Sequence, residues 1–172
     1  SQQRLWFLNQ INPESPAYNI PALFLLKGNL DVTSLKEAIN RIISRHEVLR
    51  TYFEYKNNQT VQVIADTFEC TLPIIKVTNL AEGIEKAKEA LQETFNLNQL
   101  PLLSTKIFSI AENENLFAIS IHHIIADAWS SAIFAYELST IYNALIEKKE
   151  VILNELDIQY ADYTMWQKNN FE

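Results

Sequence analysis

Glycine is nearly absent from this chain of 172 residues, occurring only as Gly28 and Gly83, where a usual share of roughly 7% would give about a dozen. Two isolated glycines cannot build a phosphate-cradling loop, which excludes Walker-type nucleotide hydrolysis and the dinucleotide fingerprint. A single cysteine, Cys70, forbids an intrachain disulfide and fits a reducing, cytoplasmic setting. The longest apolar run, Ile20 to Leu26, falls far short of the ~20 residues a membrane helix needs. Positive charge is also scarce. Against 21 Asp and Glu stand 14 Lys and Arg, a net charge of −7, and an acidic domain is a poor partner for nucleic acid. The chain opens on Ser1 with no initiator Met and no basic, apolar leader. No targeting signal is visible, and a segment of a longer polypeptide is expected.

What is present is a core. At 48% hydrophobic the chain has enough apolar surface to fold, and global disorder is excluded. Ser1 to Gln10 reads as a short amphipathic piece carrying Leu5, Trp6 and Leu8, stopped by Pro13 and Pro16. Ala22 to Lys27 reads as a buried strand ended by Gly28-Asn29. A helix follows from Asp31, with capping-box spacing at Ser34 and Glu37 and an apolar stripe through Leu35, Ile39 and Ile42. Thr51 to Tyr55 and Thr60 to Ile64 alternate on either side of Asn57-Asn58 and predict a hairpin. Ile74 to Val77 is a further strand, and Leu80 to Phe95 a second amphipathic helix. Leu102 to Ile110 and Asn115 to Ile121 predict paired strands. A long helix then runs from Asp127 to about Lys148, with a stripe from Trp129 and Ile133 to Leu145 that would seat it on a sheet. Tyr160 to Asn169 closes the chain as an aromatic-rich helix. The predicted class is α/β, in the form of an α+β sandwich with a mixed sheet packed against amphipathic helices.

Two of the three histidines stand side by side in Ile121-His122-His123-Ile124-Ile125-Ala126-Asp127. They end a strand apolar on both faces, hence central. In a regular strand the two rings point to opposite faces, part-buried, where loss of the proton is favoured. Asp127 falls at the N-cap of the long helix. Three readings fit these residues: core histidines with a helix cap; a metal site, which would need a third ligand such as His46 that no spacing supplies; and an imidazole base for acyl transfer beside a structural Asp127.

The segment resembles the HHxxxDG motif of nonribosomal peptide synthetase condensation domains. Three further stretches agree in order: Ser1-Gln2-Gln3-Arg4-Leu5-Trp6-Phe7-Leu8 is similar to the opening motif QxRLWFL, Arg45 to Phe53 to RHExLRTxF, and Tyr160 to Gln167 to YxDYxxWQ. One position departs, with Ala128 in place of the motif glycine. Ala favours the helix start, while, in the channel that the resemblance implies beside Ala128, Trp129 and Ser130, its methyl would narrow the mouth.

The resemblance implies the N-terminal, donor-side lobe of a chloramphenicol acetyltransferase-like domain over residues 1–172, with the second lobe outside the chain. It implies peptide-bond formation between an upstream acyl or peptidyl thioester and the amine of a downstream aminoacyl thioester. His123 would be the catalytic group, taking the amine's proton or orienting the amine. His122 and His46 would be structural. Asp127 would pair with an arginine, Arg50 in preference to Arg45; five residues along one helix turn the two about 140° apart, so at most one would face the site. Trp6, Tyr163 and Trp166 would be packing anchors, and Cys70 a core thiol. No cofactor or metal is expected in the lobe itself, since phosphopantetheine arms arrive on carrier proteins. The implied partners are the C-terminal lobe, upstream and downstream carrier proteins and an adenylation domain, with self-association of the isolated lobe through its inter-lobe face. Two alternatives share the motif: a degenerate platform domain and a coenzyme A-dependent acyltransferase. Tyr18-Asn19-Ile20-Pro21 leans toward an L-configured donor.

Overall fold

A computed structural model describes residues 2–171; Ser1, the first residue of the opening motif, lies outside them. Helix α1 (Gln2–Ile11) is followed by a 3-10 turn, Pro16–Tyr18, and strand β1 (Asn19–Lys27). Helix α2 (Val32–Arg45) leads through a second 3-10 turn, Glu47–Arg50, into the hairpin β2 (Thr51–Lys56) and β3 (Gln59–Ile64). Next come β4 (Ile74–Lys76), α3 (Leu80–Leu91), β5 (Leu103–Ala111), β6 (Glu114–His122), α4 (Ala128–Ile146) and α5 (Tyr160–Phe171).

The main sheet runs β1-β6-β5-β4, antiparallel except for the parallel β4–β5 pair, and β2–β3 form a separate ribbon. As its two-faced apolar sequence predicts, β6 is interior, with every residue from Asn115 to His122 buried. One face carries Phe117, Ile119 and Ile121 and shares a core with Leu35, Ile39, Ile42 and Ile43 of α2. The other carries Leu116 and Ala118 and meets Ala87 and Ala90 of α3. Helix α3 lies close there because residue 83 is glycine: a Cβ would sit 3.0 Å from Leu116 Cδ1. Gly28, at φ +107°, ends β1 in a conformation side chains avoid. Asn57 and Asn58, at φ 51° and 60°, make the tight turn of the predicted hairpin.

Several expectations change. β1 is an edge strand, with Phe24 and Leu25 exposed, instead of a buried one; Pro21, which cannot donate to a ladder, is tolerated at such an edge. The N-cap of α2 is Asp31, which accepts from the Ser34 amide at 2.9 Å. Glu37 pairs instead with Arg41 one turn on, at 2.8 Å. Helix α3 stops at Leu91, so Phe95 lies beyond it, buried in the loop. Helix α4 packs on α2 through Phe134, Glu137 and Ile141, while Trp129 (78% exposed), Ile133 and Tyr136 face outward. Between α4 and the β1 edge runs an apolar groove of about 650 Å³, walled by Phe24, Leu25, Ile119, Phe134 and Leu138.

Candidate functional site

β6 delivers both histidines to one end of the sheet and treats them differently. His122 still belongs to the strand, paired with Asn19 of β1, and is only 2% exposed. Its ring lies between Tyr18 and Phe95, the latter edge-on at 6.2 Å between centroids. Nδ1 accepts the Ile124 amide at 3.0 Å, so the proton of the neutral ring is on Nε2, which is buried without a hydrogen-bond partner. Burial, then the neighbouring His123, pushes the His122 pKa down to about 4. It is an uncharged residue that pins a turn.

His123 begins that turn and is exposed, not part-buried as expected, because the strand ladder ends one residue earlier. Its backbone amide donates to the Tyr18 carbonyl at 2.8 Å. The Ile125 amide donates back to the His122 carbonyl at 3.0 Å. His123 Nδ1 lies 2.7 Å from the Ala126 carbonyl. A carbonyl only accepts, so Nδ1 carries the proton, and the neutral ring keeps its lone pair on Nε2. His123 borders a cleft of about 690 Å³ together with Arg4, Tyr18, Asp127, Trp129, Ser130 and Tyr160. Ala128, expected beside this channel, is not part of the cleft wall; as the first residue of α4 it leaves the helix start intact.

Asp127 caps α4, as its position predicts. Its carboxylate accepts from the Ser130 amide and the Ser130 hydroxyl, both at 2.8 Å, and its own amide donates to Ser130 Oγ at 2.7 Å. The Ser130 amide first, and its hydroxyl second, hold the Asp127 carboxyl below its ordinary pKa, and a negative charge at a helix N-terminus is favoured besides.

The arginine expected opposite Asp127 is not there. Among the described residues no ion pair joins Asp127 to an arginine. Arg50 donates to the Ala65 carbonyl and lies 3.6 Å from Glu47. Arg45 Nε reaches Glu137 of α4 at 3.1 Å, and its Nη2 donates to the Asn154 carbonyl. Helical angles do not relate the two arginines, because the motif is not one helix. α2 ends at Arg45, His46 is extended (φ −103°, ψ 104°), and a 3-10 turn follows.

His46 Nε2 lies 2.7 Å from the second Glu137 oxygen, so the structural role expected for it is to cap a buried carboxylate. Trp6 stacks on Tyr55 at 5.5 Å. Tyr163 and Trp166 stack on each other but stay about half-exposed, less anchored than expected. Cys70 is buried, and burial raises its thiol pKa.

Sequence reading missed Glu137, the one charge in a 19-residue apolar helix, an oddity that signals a buried pair. It also missed Arg4 and Gln2, hidden inside a motif read for its apolar residues. Among the described residues there is no cluster of three or more His, Cys, Asp or Glu side chains able to hold a metal, and no helix long and apolar enough to cross a membrane.

The family model described as Condensation domain matches residues 1–172. One of the linear gramicidin synthase subunits of Brevibacillus parabrevis is 39% identical over 98% of this chain, equal to 2% of that subunit. Surfactin synthase subunit 2 of Bacillus subtilis (strain 168) is 34% identical over 97% of the chain and 4% of its own length. Among solved structures, the X-domain in complex with OxyB from teicoplanin biosynthesis superposes with TM-score 0.89 at 27% identity, over 98% of this chain and 36% of that one. The starter condensation domain of rhizomide synthetase RzmA gives 0.86 at 22% identity, over 98% and 42%; at that identity the likeness is one of fold. The fold is thus the α/β arrangement of condensation domains, as its motifs and element order predict, and the chain belongs to the condensation domain family. It spans a few per cent of the curated relatives and about two-fifths of the solved chains.

Proposed function

We propose that residues 1–172 are the N-terminal, donor-side lobe of a condensation domain that joins an acyl or peptidyl thioester to the amine of an aminoacyl thioester. The observation that carries this reading is the His123 ring, whose Nδ1–H is tied to the Ala126 carbonyl at 2.7 Å at the edge of an open cleft. That bond leaves Nε2 as the nitrogen with a lone pair for an incoming amine. The amine nitrogen attacks the thioester carbonyl, the tetrahedral centre collapses, the C–S bond breaks, and the sulfur departs as a thiolate that takes up the proton lost by the nitrogen, giving a thiol on its carrier arm. His123 Nε2 takes, or orients by accepting a hydrogen bond from, the ammonium proton that forms on attack. A positioned base of this kind contributes ~10²–10⁴-fold. Holding both reactants on tethered arms supplies much of the remainder.

His122 shapes the turn, Asp127 with Ser130 fixes the start of α4, and Arg45 holds α4 to α2 through Glu137. Arg50 ties the start of the hairpin to its end through the Ala65 carbonyl. The donor and acceptor arrive as phosphopantetheine thioesters on upstream and downstream carrier proteins, the acceptor loaded by an adenylation domain, in the cytoplasm. The C-terminal lobe supplies the opposite wall of the cleft and covers apolar surface such as Trp129. Without that lobe the chain does not condense and tends to self-associate. The platform and coenzyme A alternatives are not favoured, since the relatives are synthases of linear gramicidin and surfactin and include a dimodular nonribosomal peptide synthase.

The test is reconstitution of the intact domain with a peptidyl-loaded donor carrier and an aminoacyl-loaded acceptor carrier. Dipeptidyl product on the acceptor carrier is expected. Product only from free acyl-coenzyme A, or none at all, would overturn the reading.

A further inference from the structure

The turn that carries His123 belongs to neither a strand nor a helix, so its shape depends on the bonds made by a few peptide groups. The amides of residues 123, 124 and 125 are taken by Tyr18, by His122 Nδ1 and by the His122 carbonyl, and the Ala126 carbonyl is taken by the His123 ring. The carbonyl of Ile124, immediately after His123, is held from outside the turn. Gln2, in the first turn of α1, donates to it from Nε2 at 2.7 Å. The Gln2 amide oxygen in turn accepts from Gln62 of β3. A primary amide does both jobs at once, as donor to the carbonyl and acceptor from the second glutamine. The relay ties three separate elements, α1, β3 and the turn, at a point bordering the His123 cleft.

We infer that Gln2 is a positioning residue for His123, acting through the Ile124 carbonyl, with Gln62 fixing the rotamer of Gln2; this rests on His123 being the reacting imidazole. The loss of Gln2 releases the Ile124 peptide. The Ala126 carbonyl then no longer meets Nδ1 squarely, and the ring samples orientations in which Nε2 faces away from the cleft. Gln2→Glu is the sharpest probe. It keeps shape and the acceptor for Gln62 but places an acceptor against the Ile124 carbonyl.

The experiment uses the intact domain labelled with ¹⁵N-histidine. In the wild type, His123 is expected as a single tautomer with the proton on Nδ1. Gln2→Glu should convert it to a tautomer mixture while His46 and His122 signals stay in place. In condensation assays Gln2→Glu should lower kcat ~10- to 100-fold with KM changed less than about threefold, since misplacement of a reacting group costs rate and not binding. Gln62→Leu should act in the same direction, and the double variant should be no worse than Gln2→Glu alone. An unchanged His123 tautomer in Gln2→Glu, or additive losses in the double variant, would overturn the inference. The two readings fail separately: if His123→Ala proves fully active the catalytic role falls, while the tautomer measurement still decides what Gln2 does.

Discussion

Glu137 of α4 and His46 at the end of α2 meet at 2.7 Å, with Arg45 on the other carboxylate oxygen at 3.1 Å. The carboxylate is buried while Arg45 and His46 both keep some contact with water. That asymmetry decides which deletion hurts. Two residues of the RHExLRTxF-like stretch are thereby spent on fastening α4, the helix whose first turn borders the His123 cleft.

Removing both partners (Arg45→Met with His46→Phe) strands a buried carboxylate. It should cost about 3–5 kcal/mol of stability. Glu137→Leu replaces the carboxylate with apolar volume, and its former partners can turn to solvent. It should cost distinctly less. Urea unfolding of the three chains measures the difference, and the reverse order would show that the stranded charge does not govern the loss.

His122 makes stability depend on pH. Its folded pKa is about 4, against an ordinary value of 6.5, so between these the unfolded chain binds the extra proton and the native one does not. The contribution is complete above pH 6.5 and is lost progressively as pH falls toward 4, by roughly 3 kcal/mol in all. His122→Asn, which retains an acceptor for the Ile124 amide, should remove that part of the slope. Unfolding free energies of both proteins at pH 7.5 and pH 5 check it.

Asp127 and Ser130 form a reciprocal cap. Asp127→Ala should cost about 1 kcal/mol, and Ser130→Ala a similar amount. The double variant should lose less than the sum, because each single change already opens the box. Thermal denaturation of the set decides the coupling. A stable yet inactive Asp127→Ala domain would instead assign the carboxylate a direct chemical part.

Gly83→Ala tests the contact between α3 and β6. Alanine gains about 1 kcal/mol of helix propensity, but its methyl would meet Leu116 at 3.0 Å, and overpacking of this sort costs about 1–3 kcal/mol. A net loss of stability is expected in equilibrium unfolding. A net gain would mean that Leu116 yields freely.

Much of this architecture can be read locally. The doubly apolar run at 115–121 announces an interior strand, Asn57-Asn58 announces a tight hairpin, and Asp127 announces a cap because each signal is carried by neighbouring residues. The failures are of another kind. Trp129 and Ile133 lie on an apolar stripe, yet α4 is apolar nearly all round, so periodicity cannot say which stripe meets α2. Phe95 fits the spacing of α3 but lies past its end, where tertiary packing against His122 overrides the pattern. Helical angle would set Arg45 and Arg50 on different faces, and the extended backbone at His46 cancels that geometry. Glu137 and Gln2 find their partners 91 and 122 residues away in sequence, a distance that spacing rules do not cross.

The most direct test of the central claim is single-turnover condensation by the intact domain with preloaded donor and acceptor carriers, comparing wild type with His123→Ala. If Nε2 of His123 serves the attacking amine, the rate should fall by ~10²–10⁴-fold with carrier binding and folding retained. An unchanged rate constant in a well-folded His123→Ala domain would contradict the account.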